Sequence, residues 1–275
     1  MKIWEALIYG LVAGLTGLLP VSFSGHAAVL QDAFALSPLT QGGGLYVRAA
    51  ITLGLSAALV LAFPGELQLT CGELARRPQR GKRARQPSPR RRAVLMGLLA
   101  LPIGLLSLIW CAAAERITRL SLIAAFFCLN GLVLFAAGRP GGRKDARSLM
   151  LPDALLAGAT RLAAVLPGLS PLGLTLAVCR LRDLRTDFAL RFTAMLTLGF
   201  SLCEFVYRLL RAVIVGTFSA SLWLPMLVAL VASTVAGYFA LQYLKYLLHR
   251  EKLRVFSYYC WDAAVIALIL ALINA

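Results

Sequence analysis

Two short stretches carry the residue types able to do chemistry. The first, at 18–26, reads LLPVSFSGH and sets Ser22, Ser24, Gly25 and His26 directly after Pro20. The second, at 166–173, reads LPGLSPLG and sets Ser170, Gly173 and the following Thr175 after Pro167 and Gly168. Proline and glycine placed this way break a helix, and its second half then starts with backbone N–H groups that have no helical partner. Such a start favours anions, phosphate above all, because free donors and helix dipole act together. The hydroxyls can donate to phosphate oxygens, and glycine lets the backbone come close. His26 suits an acid, base or nucleophile near neutral pH, with a histidine paired to a carbonyl as the competing reading.

Two charged residues stand deep in apolar sequence. Arg161 lies on the arm leading to the second stretch, and Glu204 lies within the run 188–216. Charge at such depth marks a functional candidate. Glu204 could instead pair with Arg208, four residues on, and Arg161 could snorkel to lipid heads. The candidate catalytic residues are therefore His26, Ser22 and Ser24. The candidate substrate-binding residues are Gly25, Pro167, Gly168, Ser170, Gly173, Thr175, Arg161 and Glu204. No metal-ligand set is read from spacing.

The elements that must hold these groups follow from composition. The 275 residues are 60% hydrophobic, with a mean hydropathy of +0.79, against about 45–50% apolar in soluble domains. Long runs have no polar face, so the chain reads as an all-α integral membrane protein. The net charge of +16 sits between apolar segments, where it reads as a topology signal and a contact to anionic lipid, not to nucleic acid. The six cysteines, at 71, 111, 128, 179, 203 and 260, show no CxxC spacing and read as small apolar residues.

A span needs about 20 mostly apolar residues. Six clean ones are expected at 43–63, 93–114, 120–138, 188–216, 222–248 and 255–274. The stretches 3–36 and 153–179 are apolar but broken near their middles. Lys and Arg cluster at 76–92, 139–147, 180–191 and 245–254, which hold 21 of the 28 basic residues. The connections 37–42 and 217–221 hold no Lys or Arg, and 115–119 holds two, fewer than any of the four clusters. By the positive-inside rule the four clusters are cytoplasmic. The stretch 153–179 then has both ends on one side, so it must enter, turn at Pro167-Gly168 and return. By the same logic 3–36 is a hairpin entering from outside. The chain divides into a first repeat at 1–138, a linker at 139–152 and a second repeat at 153–275, each a re-entrant hairpin plus three spans of opposite orientation. This is an inverted-topology repeat, whose polar site is expected where the broken elements meet. Residues 76–92 read as a solvated loop, His249 as exposed, and Trp4, Trp110, Trp223 and Trp261 as an interfacial belt.

GLVAGLTGLLPVSFSGH resembles the first signature of the undecaprenyl pyrophosphate phosphatase family, and LPGLSPLGLT resembles its second; FALRFTAMLTL at 188–198 fits as well. The resemblance covers essentially the whole chain. It implies an inverted repeat with two re-entrant hairpins in the bacterial cytoplasmic membrane. It also implies a polyprenyl pyrophosphate or phosphate lipid as ligand, removal of the terminal phosphate on the outer face for cell-wall recycling, and bacitracin resistance. A divalent cation, Mg²⁺ or Ca²⁺, is implied too, held by two acidic (or acid/amide) residues four apart. Those positions are Ala13 and Gly17 here. A family serine is Phe23, and the Ser-Arg-Ser arginine and the serine after it are Pro171 and Leu172. That arginine is the natural bidentate clamp for phosphate. Two functions therefore stand side by side. One is a phosphatase using His26 with Ser22, Ser24 or Ser170 and an altered charge set. The other is a non-hydrolytic binder or transporter of the lipid. An unrelated small-solute transporter is a third, supported by the repeat alone.

Overall fold

The computed structural model describes residues 1–75, 88–215 and 218–274. Its twelve α-helices are α1 (Ile3–Gly17), α2 (Phe23–Phe34), α3 (Gly44–Ala62), α4 (Pro64–Ala75), α5 (Pro89–Leu105), α6 (Leu108–Ala114), α7 (Leu120–Ala137), α8 (Leu151–Ala164), α9 (Pro171–Leu181), α10 (Thr186–Val215), α11 (Trp223–His249) and α12 (Val255–Ile273). The chain is an all-α membrane protein. Helices α3, α7, α12 and the segment Ala220–His249 containing α11 are long and apolar enough to cross a bilayer. Helices α5 and α6 together are long and apolar enough for a further span and are bent by 46°, at a break that follows Pro102.

The sixth expected span is α10. Its 30 residues are more than long enough, but it carries Glu204, Arg208 and Arg211 in its second half. It is shielded by packing against α3, α5 and α9. Two features depart from the sequence reading. Helix α4 was not expected and follows α3 directly. Of the expected loop 76–92, residues 76–87 lie outside the described residues, while Pro89–Arg92 form the first turn of α5. Ser88 caps that turn, its Oγ accepting from Arg91 N–H at 3.2 Å.

Both broken stretches resolve into helix pairs. Helix α1 stops before Pro20 and α2 starts at Phe23; α8 stops before Pro167 and α9 starts at Pro171. Serine caps both second helices. Ser22 Oγ accepts from Gly25 N–H at 3.4 Å and Ser170 Oγ from Gly173 N–H at 3.1 Å. Serine at an N-cap satisfies a donor the helix cannot.

Around the pairs the packing is reciprocal. Helix α1 lies along α11 and α8 along α5; α3 packs on α10, and α7 on α12. Small residues set the two outer contacts. A Cβ on Gly14 would stand 2.6 Å from Ala236, and one on Gly158 2.4 Å from the Ala100 carbonyl. Such surfaces bring helix backbones close in a bilayer, where burial from water supplies no drive between spans.

The basic clusters at 139–147, 180–191 and 245–254 gather at one end, together with Arg92. Arg180 donates to the carbonyls of Arg139 at 2.6 Å and Leu184 at 3.1 Å and pairs with Glu251 at 3.1 Å. Lys144 and Arg182 both reach Asp153, at 3.0 and 2.7 Å, and Arg92 donates to the Leu149 carbonyl at 3.0 Å. His249 is exposed there beside Asp187, at 3.3 Å. Of the tryptophans, Trp4 and Trp223 are exposed at helix starts. Trp110 and Trp261 instead donate to carbonyls of neighbouring helices, Leu162 and Cys128, both at 3.3 Å.

Candidate functional site

The two breaks meet. Gly168 N–H donates to Ser22 Oγ at 3.1 Å, and Ser170 Oγ–H donates to the Leu19 carbonyl at 3.3 Å. Asn130 of α7 joins the tips: its Nδ2 donates to the Pro20 carbonyl at 3.0 Å and its Oδ1 accepts from Ser170 N–H at 3.0 Å. Ser22, Asn130 and Ser170 are fully buried. The glycines serve this contact. A Cβ on Gly25 would lie 2.5 Å from the Phe127 ring and 2.9 Å from Gly168, and one on Gly173 2.8 Å from Pro20. Gly168 has φ +103°, a conformation that side chains disfavour. Ser22 itself sits at φ +69°, a strained value for serine that is held by the contacts around it.

A cavity of about 110 Å³ opens beside the tips. Gly17, Leu18, Phe23 and Ser24 line it from the first pair, and Arg161, Ala164, Val165 and Pro171 from the second. Helices α3 and α10 add Arg48, Thr52, Thr197, Ser201, Glu204 and Arg208, with Ser107 just before α6 and Glu115 just after it. A smaller cavity shares Phe23, Ser24, Arg48, Glu115 and Val165 and leads toward Leu39, Thr40 and Thr118. The smaller cavity thus extends to the connections 37–42 and 115–119.

One ion-pair lattice forms the polar wall. Glu204 accepts from Arg161 at 2.6 Å through Oε2 and from Arg208 at 2.6 Å through Oε1. Glu115 accepts from Arg48 at 3.2 Å and Arg208 at 2.7 Å through Oε1, and from Arg211 at 2.5 Å through Oε2. Arg161 also stacks on Phe200, 5.1 Å from the ring centre. Glu204 does pair with Arg208, as its spacing allowed, and reaches Arg161 as well. Arg161 is held inside the bundle by that carboxylate.

The expected site residues thus separate into groups. Ser24, Arg161 and Glu204 line the main cavity, and Pro167 the smaller one. Ser22, Gly25, Gly168, Ser170 and Gly173 are occupied in joining the tips. Thr175 bonds Thr160 at 2.8 Å and the Pro171 carbonyl at 2.9 Å. His26 is absent from both linings. Its Nδ1 lies 2.7 Å from the Ser22 carbonyl, so Nδ1 carries the proton and Nε2 accepts from Tyr259 Oη–H at 2.9 Å. Its ring stacks on Tyr259 and meets Phe127 edge-on.

Sequence reasoning missed Arg48, Glu115, Arg211 and Asn130. A signal existed for each. Arg48 sits inside an apolar span, Asn130 is a lone amide in the run 120–138, Arg211 lies within the run 188–216, and Glu115 borders an apolar helix.

The family model for the bacitracin resistance protein BacA matches residues 6–266. The chain belongs to that family. Curated relatives of the family align end to end. An undecaprenyl-diphosphatase of Methanobrevibacter smithii is 30% identical over 97% of this chain and 96% of its own. One of Carboxydothermus hydrogenoformans is 31% identical over 98% of both chains. One of Kineococcus radiotolerans is 31% identical over 100% of this chain and 96% of its own.

The divalent cation implied for the BacA family can be tested on the donors present. Ala13 and Gly17 offer no side-chain oxygen, and Ala13 is buried against α11 residue Ala229 in an apolar cluster. The two carboxylates near the cavity already accept from arginines on all four oxygens. A hard cation needs free oxygen ligands. These residues do not fit one.

Proposed function

We propose that this chain takes the diphosphate head of a polyprenyl carrier lipid into the cavity between the two tips, on the outer face of a bacterial cytoplasmic membrane. One observation carries the reading. Arginines from α3, α8 and α10 and a serine of the first tip converge on one cavity at the meeting of the two broken elements. Guanidinium groups are the side chains best matched to phosphate oxygens. The relatives named undecaprenyl-diphosphatase supply the ligand class, and the reaction proposed with it is release of the terminal phosphate for cell-wall recycling.

The same reading takes the two halves as an inverted repeat. If α1, α2, α3, α5/α6 and α7 correspond to α8, α9, α10, α11 and α12, the contact of α1 with α11 maps onto that of α8 with α5. The α3–α10 and α7–α12 contacts map onto themselves. A site between matching broken elements is what such symmetry creates. The positive-inside rule puts the basic clusters in the cytoplasm, against anionic lipid, and the cavity mouth outside.

A second reading, holding or moving the lipid without cleaving it, is favoured by two observations. Gly17, Phe23 and Pro171 line the cavity where the resembling family carries an acid, a serine and an arginine. His26 is bonded to Tyr259 and the Ser22 carbonyl rather than aimed into the cavity. Phosphate release from undecaprenyl diphosphate by purified protein, beside a binding measurement, separates the two. Release that Arg161→Ala abolishes establishes the phosphatase. Saturable binding without release establishes the holder. Neither binding nor release refutes the site.

A further inference from the structure

We infer that in this chain arginines replace the metal: Arg48 and Arg161 clamp the diphosphate directly, and Arg208 is the strut that holds their carboxylates. The inference rests on the reading of the cavity as a diphosphate site.

Charge is the first argument. Arg48, Arg161, Arg208 and Arg211 face only Glu115 and Glu204 in the lattice, an excess of two positive charges. The six side chains are between 5% and 22% exposed. Excess charge shielded from water is unfavourable unless something neutralises it. A bound cation would worsen the imbalance, whereas a phosphate-bearing anion corrects it.

The division of labour follows from the donors. Arg208 uses Nε, Nη1 and Nη2 on the two carboxylates, bonding Glu204 through Nε at 3.0 Å and Nη2 at 2.6 Å and Glu115 through Nη1 at 2.7 Å. Arg161 and Arg48 each meet a carboxylate through one terminal nitrogen, at 2.6 and 3.2 Å, and both line the cavity. Each guanidinium has five N–H donors, so both keep donors for a ligand. They come from different helices, Arg48 from α3 and Arg161 from α8, with Ser24 of the first tip on the same lining. The glutamates fix the guanidinium planes and are not free to ligate a metal.

The test is calorimetric titration of the purified full-length protein in detergent with farnesyl diphosphate, first in EDTA and then with Mg²⁺ or Ca²⁺ restored. Affinity in EDTA equal to that with cation supports the inference. Arg48→Gln and Arg161→Gln should each weaken binding about tenfold or more, the scale of one lost charge-assisted contact. If either variant unfolds, Arg→Lys at the same position, which keeps the charge but loses the fork, should still weaken binding. Binding that appears only with cation overturns the inference and leaves the diphosphate site standing. Arginine variants that bind as the parent does overturn it too. No binding under either condition refutes both the inference and the site.

Discussion

Asn130 offers the sharpest test of how the two tips are joined. Its amide donates to the Pro20 carbonyl and accepts from Ser170 N–H, each at 3.0 Å, and its Nδ2 also lies 3.2 Å from Cys260 Sγ. Asn130→Ala leaves the Ser170 N–H buried without its partner and the Pro20 carbonyl with only the weak Cys260 thiol donor at 3.8 Å. Each orphaned group costs about 1–3 kcal/mol in a soluble core. Hydrogen bonds between helices in a bilayer average nearer 0.6 kcal/mol and reach about 1.7. Two such losses together come to about 2 kcal/mol, which lowers Tm by about 4–8 °C at 2–4 °C per kcal/mol. Thermal unfolding in detergent measures this by a thiol-reactive dye on a Cys128→Ala, Cys203→Ala background, because Cys111, Cys179 and Cys260 are buried while Cys128 is exposed and Cys203 partly so. Asn130→Asp keeps the acceptor for Ser170 but buries a carboxylate, so it should fall at least as far. An alanine variant within about 1 °C of the parent would refute the claim that Asn130 couples the tips.

Ser22→Ala and Ser24→Ala should behave oppositely. Ser22 accepts from Gly168 and Gly25, so its loss should cost about 1–2 kcal/mol of stability, whereas Ser24 lines the cavity and bonds only Ser22 Oγ, at 3.3 Å, so its loss should weaken diphosphate binding with a smaller fall in Tm; equal behaviour would contradict the assignment. Gly168→Ala forces a Cβ to 2.8 Å from the Ile123 carbonyl at φ +103°, and should destabilise by about 2 kcal/mol or more on strain and crowding together, checked by the same melting curve. Tyr259→Phe removes the donor to His26 Nε2, lowering stability by about 1 kcal/mol without changing diphosphate affinity in a titration. His26→Gln should also keep that affinity, and a large loss of binding at unchanged Tm would show that the head group reaches His26.

Much of this protein is legible in order along the chain. Apolar runs of bilayer length mark α3, α5/α6, α7, α11 and α12, because a helix in lipid must satisfy its own backbone and present apolar side chains. Pro20 and Pro167 mark the breaks, since proline removes a donor and ends the helix before it. The basic clusters were readable as one side, and Arg180, Lys144, Arg182 and Glu251 do gather at one end. Tertiary structure alone decided which polar residues share a space. His26 and Tyr259 are 233 positions apart, and Arg208 and Glu115 are 93 apart. No local pattern records such distances, because they follow from how helices pack through small residues such as Gly14 and Gly158. The serines looked like phosphate ligands from their types, yet Ser22 and Ser170 are occupied as helix caps where the tips touch. The positive wall of the cavity came instead from Arg48 and Arg208, which only the packing of α3 against α10 brings beside Arg161.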